Sequence, residues 1–404
     1  MYAKEILRVI YAPQKAFKEI IQNPRYIGPL LIMLLFMITS IGLGYALLSK
    51  MYVDQITPQG STFDEWTEDT SFWTSNANIT LNTQDYISGT YDGSYYATYG
   101  IYPTLYYGNK SIEFSLASSS QVWLELNISG SLNCLPPNGY DSLSFRLKLI
   151  EPSTSPQNVS LYMLSTSPQD TFYHNLTEQL NAIGVWNNLT ISIGPESGEW
   201  TSNANANWGD ITGLRLELTW PTSTSNITLI VDGLFFHGVY KSLADTASGT
   251  LFVFPINAFM QFTIQWVIFG GLLFLIPRMF KVKTVWKPLL IIAGFSLVTL
   301  FIQRLAIATT FAVMPPVRYP LQVVGGVPGE WEPAYNEVSD SVNVASQVLR
   351  LIEIGLYAWT IGLCAIALRL MLEFSWMKSL LISAVAYFGS ILLFRFLTYG
   401  AIWL

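Results

Sequence analysis

Among the side chains inside the hydrophobic stretches that carry charge or a strong hydrogen-bonding amide are Gln261, Arg304, Arg350, Glu353 and Arg395. Arg304 and Arg395 each lie 17 residues past a basic boundary, Lys287 and Lys378. Arg350 and Glu353 lie 19 and 16 residues before Arg369, and Gln261 lies 17 before Arg278. At ~1.5 Å rise per residue, all five fall ~24–28 Å from the basic side, just inside the far edge of a bilayer core of ~30 Å. Ionisable groups at that depth pair, face a cavity or reach for the headgroups. Arg350 and Glu353, at i and i+3, are spaced to pair on one helix. Arg304 and Arg395 leave three readings open: each snorkels, both join an Arg–Glu network, or they hold a lipid phosphate or other anion bidentately.

A second group lies in the polar stretch between the first two hydrophobic runs. Tyr86, Tyr91, Tyr95, Tyr96, Tyr99, Tyr102, Tyr106 and Tyr107 crowd one segment, and Trp123 shares an outward parity with Glu125 and Asn127. Exposed aromatics stack on sugar rings, anchor a protein partner, or simply pack a loop over a domain end. Asp64, Glu65, Asp92 and Asp232 supply oxygens for a structural Ca²⁺, although their spacing is not that of an EF-hand and solvated acids explain them equally. Seven N-x-Ser/Thr sequons, at Asn78, Asn109, Asn127, Asn158, Asn175, Asn188 and Asn226, all fall in this stretch. Strand parity turns Asn127, Asn158 and Asn188 away from their apolar neighbours, where a glycan has room. Accidental sequons on polar faces are the alternative.

Catalytic patterns do not accompany these residues. The two histidines, His174 and His237, are far apart in sequence. No P-loop, no Gly-x-Ser-x-Gly elbow and no metal-ligand spacing appears. Gly325-Gly326-x-x-Gly329 sits in a Pro-rich loop and reads as a turn. The expectation is a protein that is not an enzyme.

The elements that position these residues follow from the hydropathy pattern. The hydrophobic runs 27–48, 252–276, 288–313, 346–372 and 378–403 are each long enough to span a bilayer. A cytoplasmic amphipathic segment, 1–26, precedes the first. Lys4, Arg8, Lys15, Lys18 and Arg25 lie before that run, and Arg278, Lys281, Lys283 and Lys287 join the second to the third. Arg369 and Lys378 flank the last link. Basic links face the cytoplasm, so the N-terminus is inside and the C-terminus and the polar stretch 54–245 are outside. That stretch carries 19 acidic against 5 basic residues, which argues against nucleic acid as a partner. The loop 314–345 is outside as well.

Period-two alternation marks the outer stretch as β. Leu143, Phe145, Leu147 and Leu149 alternate with Ser144, Arg146 and Lys148. Leu214, Leu216, Leu218 and Trp220 alternate with Arg215, Glu217 and Thr219. Val122–Ile128 and Ile227–Phe235 behave alike. The expected fold is therefore a five-helix membrane bundle with an all-β sandwich inserted after the first helix. Cys134 is the only cysteine of that domain, so its core must hold without a disulfide.

Two resemblances extend this reading. Phe63-Asp64-Glu65-Trp66, Tyr86–Ser94, Ile211–Leu216 and Asn226–Phe236 are similar to the first and last strands of galactose-binding-like jelly rolls, the fold of many carbohydrate-binding modules. That likeness implies a jelly roll. Pro13, Phe17, Ile20, Pro24 and Pro29, followed by five spans, resemble the Yip family over residues 4–48 and 250–404. The family implies a cytoplasmic N-terminus and an exoplasmic C-terminus. Its members have a short first outer loop, where this chain inserts a domain. The acidic cytoplasmic motif that contacts Rab-type GTPases is absent from the short N-terminus. Sequons without disulfides fit an archaeal surface protein. The expected function is a non-catalytic membrane protein of the cell envelope whose outer sandwich binds another envelope component, as subunit or scaffold of an assembly. The alternatives are a lipid-handling or transport protein using the arginine layer, and a surface carbohydrate-binding protein. Partners are then membrane lipids, envelope proteins or glycans, and no cofactor beyond a structural Ca²⁺ is implied.

Overall fold

A computed structural model describes residues 2–58, 64–88, 107–167, 169–180, 182–203, 205–222, 226–246 and 248–399. The chain forms two compact units. One comprises Met1–Met51, Ser242–Val317 and Ser339–Leu404, the other Tyr52–Lys241 and Arg318–Val338.

The first unit is helical. Its main helices are α1 (Tyr2–Tyr11), α2 (Pro13–Gln22), α3 (Ile27–Lys50), α4 (Val253–Met279), α5 (Trp286–Ser296), α6 (Val298–Val313), α7 (Trp331–Leu372) and α8 (Trp376–Tyr399). Pro13 opens α2 at a position where a missing N–H costs nothing. Ala16, Phe17 and Ile20 are buried while Lys15, Lys18 and Glu19 are exposed, so α2 is amphipathic. Arg8 reaches Glu19 at 2.9 Å. Among the described residues, five helical segments are long and apolar enough to cross a membrane, with α5 and α6 counted as one. This is the mark of an integral membrane protein. On α3 the apolar residues Ile27, Leu30, Leu34, Ile38, Ile41 and Tyr45 form an exposed stripe that water would not tolerate and lipid would. The opposite face buries Ile32, Phe36 and Leu43. Gly28 lets α3 approach Phe295: a Cβ there would stand 2.0 Å from the ring's Cζ. The expected third span is broken at Leu297, between α5 and α6. Trp266 Nε1 donates to the Leu290 carbonyl at 2.7 Å, which fastens α4 to α5.

The second unit is β. Its strands are β1 (Met51–Thr57), β2 (Trp73–Ser75), β3 (Asn78–Asn82), β4 (Ser111–Ala117), β5 (Gln121–Leu132) and β6 (Ser142–Glu151). They continue as β7 (Asn158–Leu164), β8 (Thr171–Asn175), β9 (Asn187–Ser192), β10 (Thr201–Ser202), β11 (Ile211–Thr219), β12 (Asn226–Ser242) and β13 (Val317–Tyr319). The first sheet runs β13-β1-β12-β4-β3, with β6 paired to β12 and β9 to β6. The second runs β10-β8-β7-β11-β5-β2. Side chains from both sheets, among them Phe114, Leu124, Phe145, Leu161, Leu216 and Phe236, share one core. The four alternating runs of the sequence lie in β5, β6, β11 and β12, with their apolar parity inward up to Val231 of β12; beyond the bulge, Leu234 and Phe236 face this core and Phe235 does not.

The polar parity behaves differently on the two sheets. On the second sheet it stays half-exposed. On the first it is covered along β12 and at Ser144 and Arg146 of β6, while Asn188 and Thr190 of β9 stay exposed, and β12 is buried continuously from Leu229 to His237. Residues 318–338, expected to be part of an outer loop, belong to the β unit. Their Leu321 packs with Ile56, Tyr107 and Phe235 in a small separate cluster. The expected outer loop is also shorter than its predicted bounds, because α7 begins at Trp331 and not near Ser346. β12 shifts register against β6 between Asp232 and Phe235, around Gly233 at φ +57°. A Cβ on Gly233 would stand 2.6 Å from Tyr107 Cε1 and 2.7 Å from Arg146 Nη1. The bulge therefore needs glycine twice over, for its backbone angle and for the room.

Candidate functional site

Pairing on the second sheet sets four outward side chains in one row. Tyr173 of β8 is opposite Tyr162 of β7, Tyr162 opposite Arg215 of β11, and Arg215 opposite Glu125 of β5. Three inter-strand gaps of ~4.8 Å give this row a length of ~14 Å. In the next row Glu217 is opposite both Ser160 and Trp123. The rings of Tyr162 and Tyr173 lie 5.3 Å apart. The Arg215 guanidinium stacks 4.5 Å from the Trp123 ring centroid. Glu217 accepts from Arg215 Nη2 at 2.8 Å, and Glu125 lies 3.8 Å from Nη1. Arg215 Nε is buried and lacks a hydrogen-bond partner among the described residues. The result is a flat, half-exposed strip of rings held in place by an ion-paired arginine. Trp123 was legible from parity. Tyr162, Tyr173 and Arg215 were not read as a site, although each alternates with buried residues, because only strand order makes them neighbours.

The covered face of the first sheet holds three buried polar groups. Arg146, with a side chain only 4% exposed, donates to Glu330 through Nη2 at 2.5 Å and Nε at 3.2 Å. It also lies over the Tyr107 ring at 4.5 Å. Its Nη1 has no hydrogen-bond partner among the described residues. Nearby, Thr67 Oγ1 lies 3.4 Å from Asp64 Oδ2 and 3.2 Å from Asp232 Oδ1. Backbone N–H groups of Gly108 and Ile87 donate to Asp64 and Asp232. Burial pushes Asp64 up to about 7; the Gly108 N–H opposes the rise and the Glu68 charge adds to it. Burial and the Asp64 charge push Asp232 up to about 8. Of the Ca²⁺ candidates, Asp64 and Asp232 come together, Glu65 is half-buried, and Asp92 lies outside the described residues. Among the described residues no three His, Cys, Asp or Glu side chains gather as a metal site. Thr67 and backbone N–H groups thus take up oxygens of both carboxyls that a cation would need.

The third group is one that sequence reading missed. His237 Nδ1 faces Asp54 Oδ2 at 3.0 Å, and Ser144 Oγ faces His237 Nε2 at 2.7 Å. Gly238 N–H holds the other Asp54 oxygen at 2.7 Å. The order Ser–His–Asp is that of a nucleophile relay. Ser144 is 3% exposed, however, and its Oγ also meets Thr190 Oγ1 at 3.1 Å. No carbonyl carbon can approach such an oxygen, so the relay ties β1, β12, β6 and β9 together across the sheet.

The other expected residues are dispersed. Tyr91, Tyr95, Tyr96 and Tyr99 lie outside the described residues, and Tyr107 is fully buried. Asn78, Asn109, Asn127, Asn175, Asn188 and Asn226 are exposed. Asn158 is half-buried and donates to Ser160 Oγ at 2.7 Å. In the helical unit, Arg304 donates to Gln261 at 2.8 Å and lies over the Phe36 ring. Glu353 accepts from Tyr357, one turn along the same helix, and no ion pair with Arg350 forms among the described residues. Arg350 and Arg395 are exposed. The layer thus contains one Gln–Arg pair, not a four-residue network.

No family model matches this chain, and no curated protein matches it. Among solved structures, it is similar to a carbohydrate-binding module of the β-sandwich superfamily, with 12% identity and a TM-score of 0.27, over 43% of this chain and 61% of that one. A family 11 carbohydrate-binding module from Clostridium thermocellum, in complex with a mixed-linked tetrasaccharide, matches with 10% identity and a TM-score of 0.26, over 45% of this chain and 94% of that one. A family 30 module of a cellulosomal cellulase from the same organism matches with 9% identity and a TM-score of 0.28, over 42% and 91%.

Proposed function

We propose that the protein is a non-catalytic, membrane-anchored glycan-binding protein that displays its β unit outside the cell to hold an envelope polysaccharide. One observation carries this reading: the half-exposed strip of Tyr173, Tyr162, Arg215 and Trp123 across four strands. Aromatic faces stack on the C–H faces of pyranose rings, and the adjoining carboxylates and amides accept and donate to their hydroxyls. A flat row ~14 Å long suits several sugar units in line. The amphipathic α2, the five apolar segments and the basic links support a Yip-like membrane part with a cytoplasmic N-terminus.

Trp123→Ala and Tyr162→Ala should each weaken retention by immobilised polysaccharide by at least about tenfold, the loss typical of a buried aromatic anchor. Full-length protein in mild detergent, run through gels containing a panel of soluble glycans, measures this. If both variants migrate like the native protein in every retarding gel, the strip is not the binding face. Orientation is read separately. Asn138→Cys places a thiol at an exposed turn of the β unit, while Cys134 and Cys364 are buried. It should react with an impermeant maleimide on intact cells, and reaction only after permeabilisation would reverse the topology.

A further inference from the structure

We propose that the strip on the second sheet selects uncharged glycans and rejects acidic ones, and that Glu125 and Glu217 set this selectivity. The inference rests on the glycan-binding reading above. Arg215 is the cation of the strip, and an unpaired arginine there would recruit uronates or sulfates by bidentate contact. Here two carboxylates already flank it. Glu217 holds Nη2 at 2.8 Å, and Glu125 stands 3.8 Å from Nη1. Gln121 Nε2 donates to Glu217 at 3.2 Å and fixes that carboxylate further. Two carboxylates against one guanidinium leave the strip with a net negative charge. The other outward residues of these strands, among them Thr74, Asn127, Asn158, Ser160, Thr171 and Thr219, are neutral. An incoming carboxylate meets like charge, whereas a hydroxyl meets acceptors already in place. The guanidinium then acts as a planar stacking surface over Trp123, with its Nε enclosed and without a hydrogen-bond partner among the described residues.

Matched polymers isolate the charge. Polygalacturonate, polyglucuronate and polymannuronate are each compared with the same polymer after carboxyl reduction, using full-length protein in mild detergent at low and moderate salt. At least one reduced polymer should bind in a Trp123-dependent way, and its acidic parent should bind about tenfold more weakly or not at all. Glu125→Gln with Glu217→Gln, near-isosteric changes on a half-exposed face, should bring the two forms to within about twofold and make acidic binding fall with salt. Acidic polymers binding as well as their reduced forms would overturn the selectivity and leave the glycan-binding face standing. A ratio unchanged in the double variant would overturn the role of the two glutamates. Binding of none of the six polymers would count against the glycan-binding reading itself, and this inference would fall with it.

Discussion

Glu330→Gln should lower the melting temperature of the β unit by roughly 10 °C, equivalent to about 3–5 kcal/mol. The cost is that of stranding a charge. Arg146 is almost fully enclosed, its Nη1 lacks a hydrogen-bond partner among the described residues, and Glu330 supplies the carboxylate for Nη2 and Nε. An amide in place of that carboxylate removes the countercharge and turns one acceptor into a donor facing a donor. Glu337→Gln, an exposed acid on the following helix, is the control and should shift nothing measurable. Arg146→Met with Glu330→Gln should recover much of the loss, because the pair is then replaced by apolar contact with Tyr107. The readout is the reaction of Cys134, buried in the β unit, with a thiol probe during heating, in a Cys364→Ser background. Equal midpoints for Glu330→Gln and Glu337→Gln would show that Arg146 is solvated and that residues 318–338 do not seal the first sheet.

The Asp64–Asp232 pair should make the same unit more stable in mild acid than in mild base. Both carboxyls have folded-state values above those of the unfolded chain, about 7 and about 8 against 3.8. A raised acid binds its proton more tightly when folded. Its stabilising contribution is complete below the unfolded value and is lost as pH rises through the folded one. The Cys134 midpoint corrected for the probe's own pH dependence, or a proteolysis midpoint in its place, should therefore fall by roughly 5–10 °C between pH 5 and pH 9. Asp232→Asn removes the second ionisation but keeps an acceptor for only one of the Ile87 and Gly233 N–H groups, so it should flatten the slope at a lower overall midpoint. A bound cation would do the opposite: millimolar Ca²⁺ would raise the midpoint at pH 8 and reverse the slope. A flat native profile without Ca²⁺ would show that water reaches the two carboxyls.

Much of the architecture was legible because burial imposes a period. An apolar run of 20 or more residues has few soluble explanations, and so each apolar run, over its described residues, falls within helix, although α7 begins 15 residues before its run and the third run breaks at Leu297. Leu143, Phe145, Leu147 and Leu149 face the core because side chains alternate along a strand. Parity failed on the first sheet for a physical reason. Ser144 and Arg146 have the outward parity, yet a second layer covers them. Alternation reports which residues share a face, not what lies over that face. Depth gave a similar half-answer in the helices. It grouped Gln261, Arg304, Arg350, Glu353 and Arg395 in one layer, but rotation about each helix axis leaves only Gln261 and Arg304 in contact.

By itself, then, the sequence determined where the chain is apolar enough for lipid, where it is β, and which parity of each strand is polar. Those are local properties, fixed by residue type and period. Partner choice was decided by the tertiary structure alone. Arg146 meets Glu330 across 184 positions, His237 meets Asp54 across 183, and Thr67 meets Asp232 across 165. Likewise Tyr173, Tyr162, Arg215 and Trp123 form one strip only because β8, β7, β11 and β5 lie side by side in that order. Strand order is a long-range outcome of how two sheets close over one core, and no spacing along the chain encodes it.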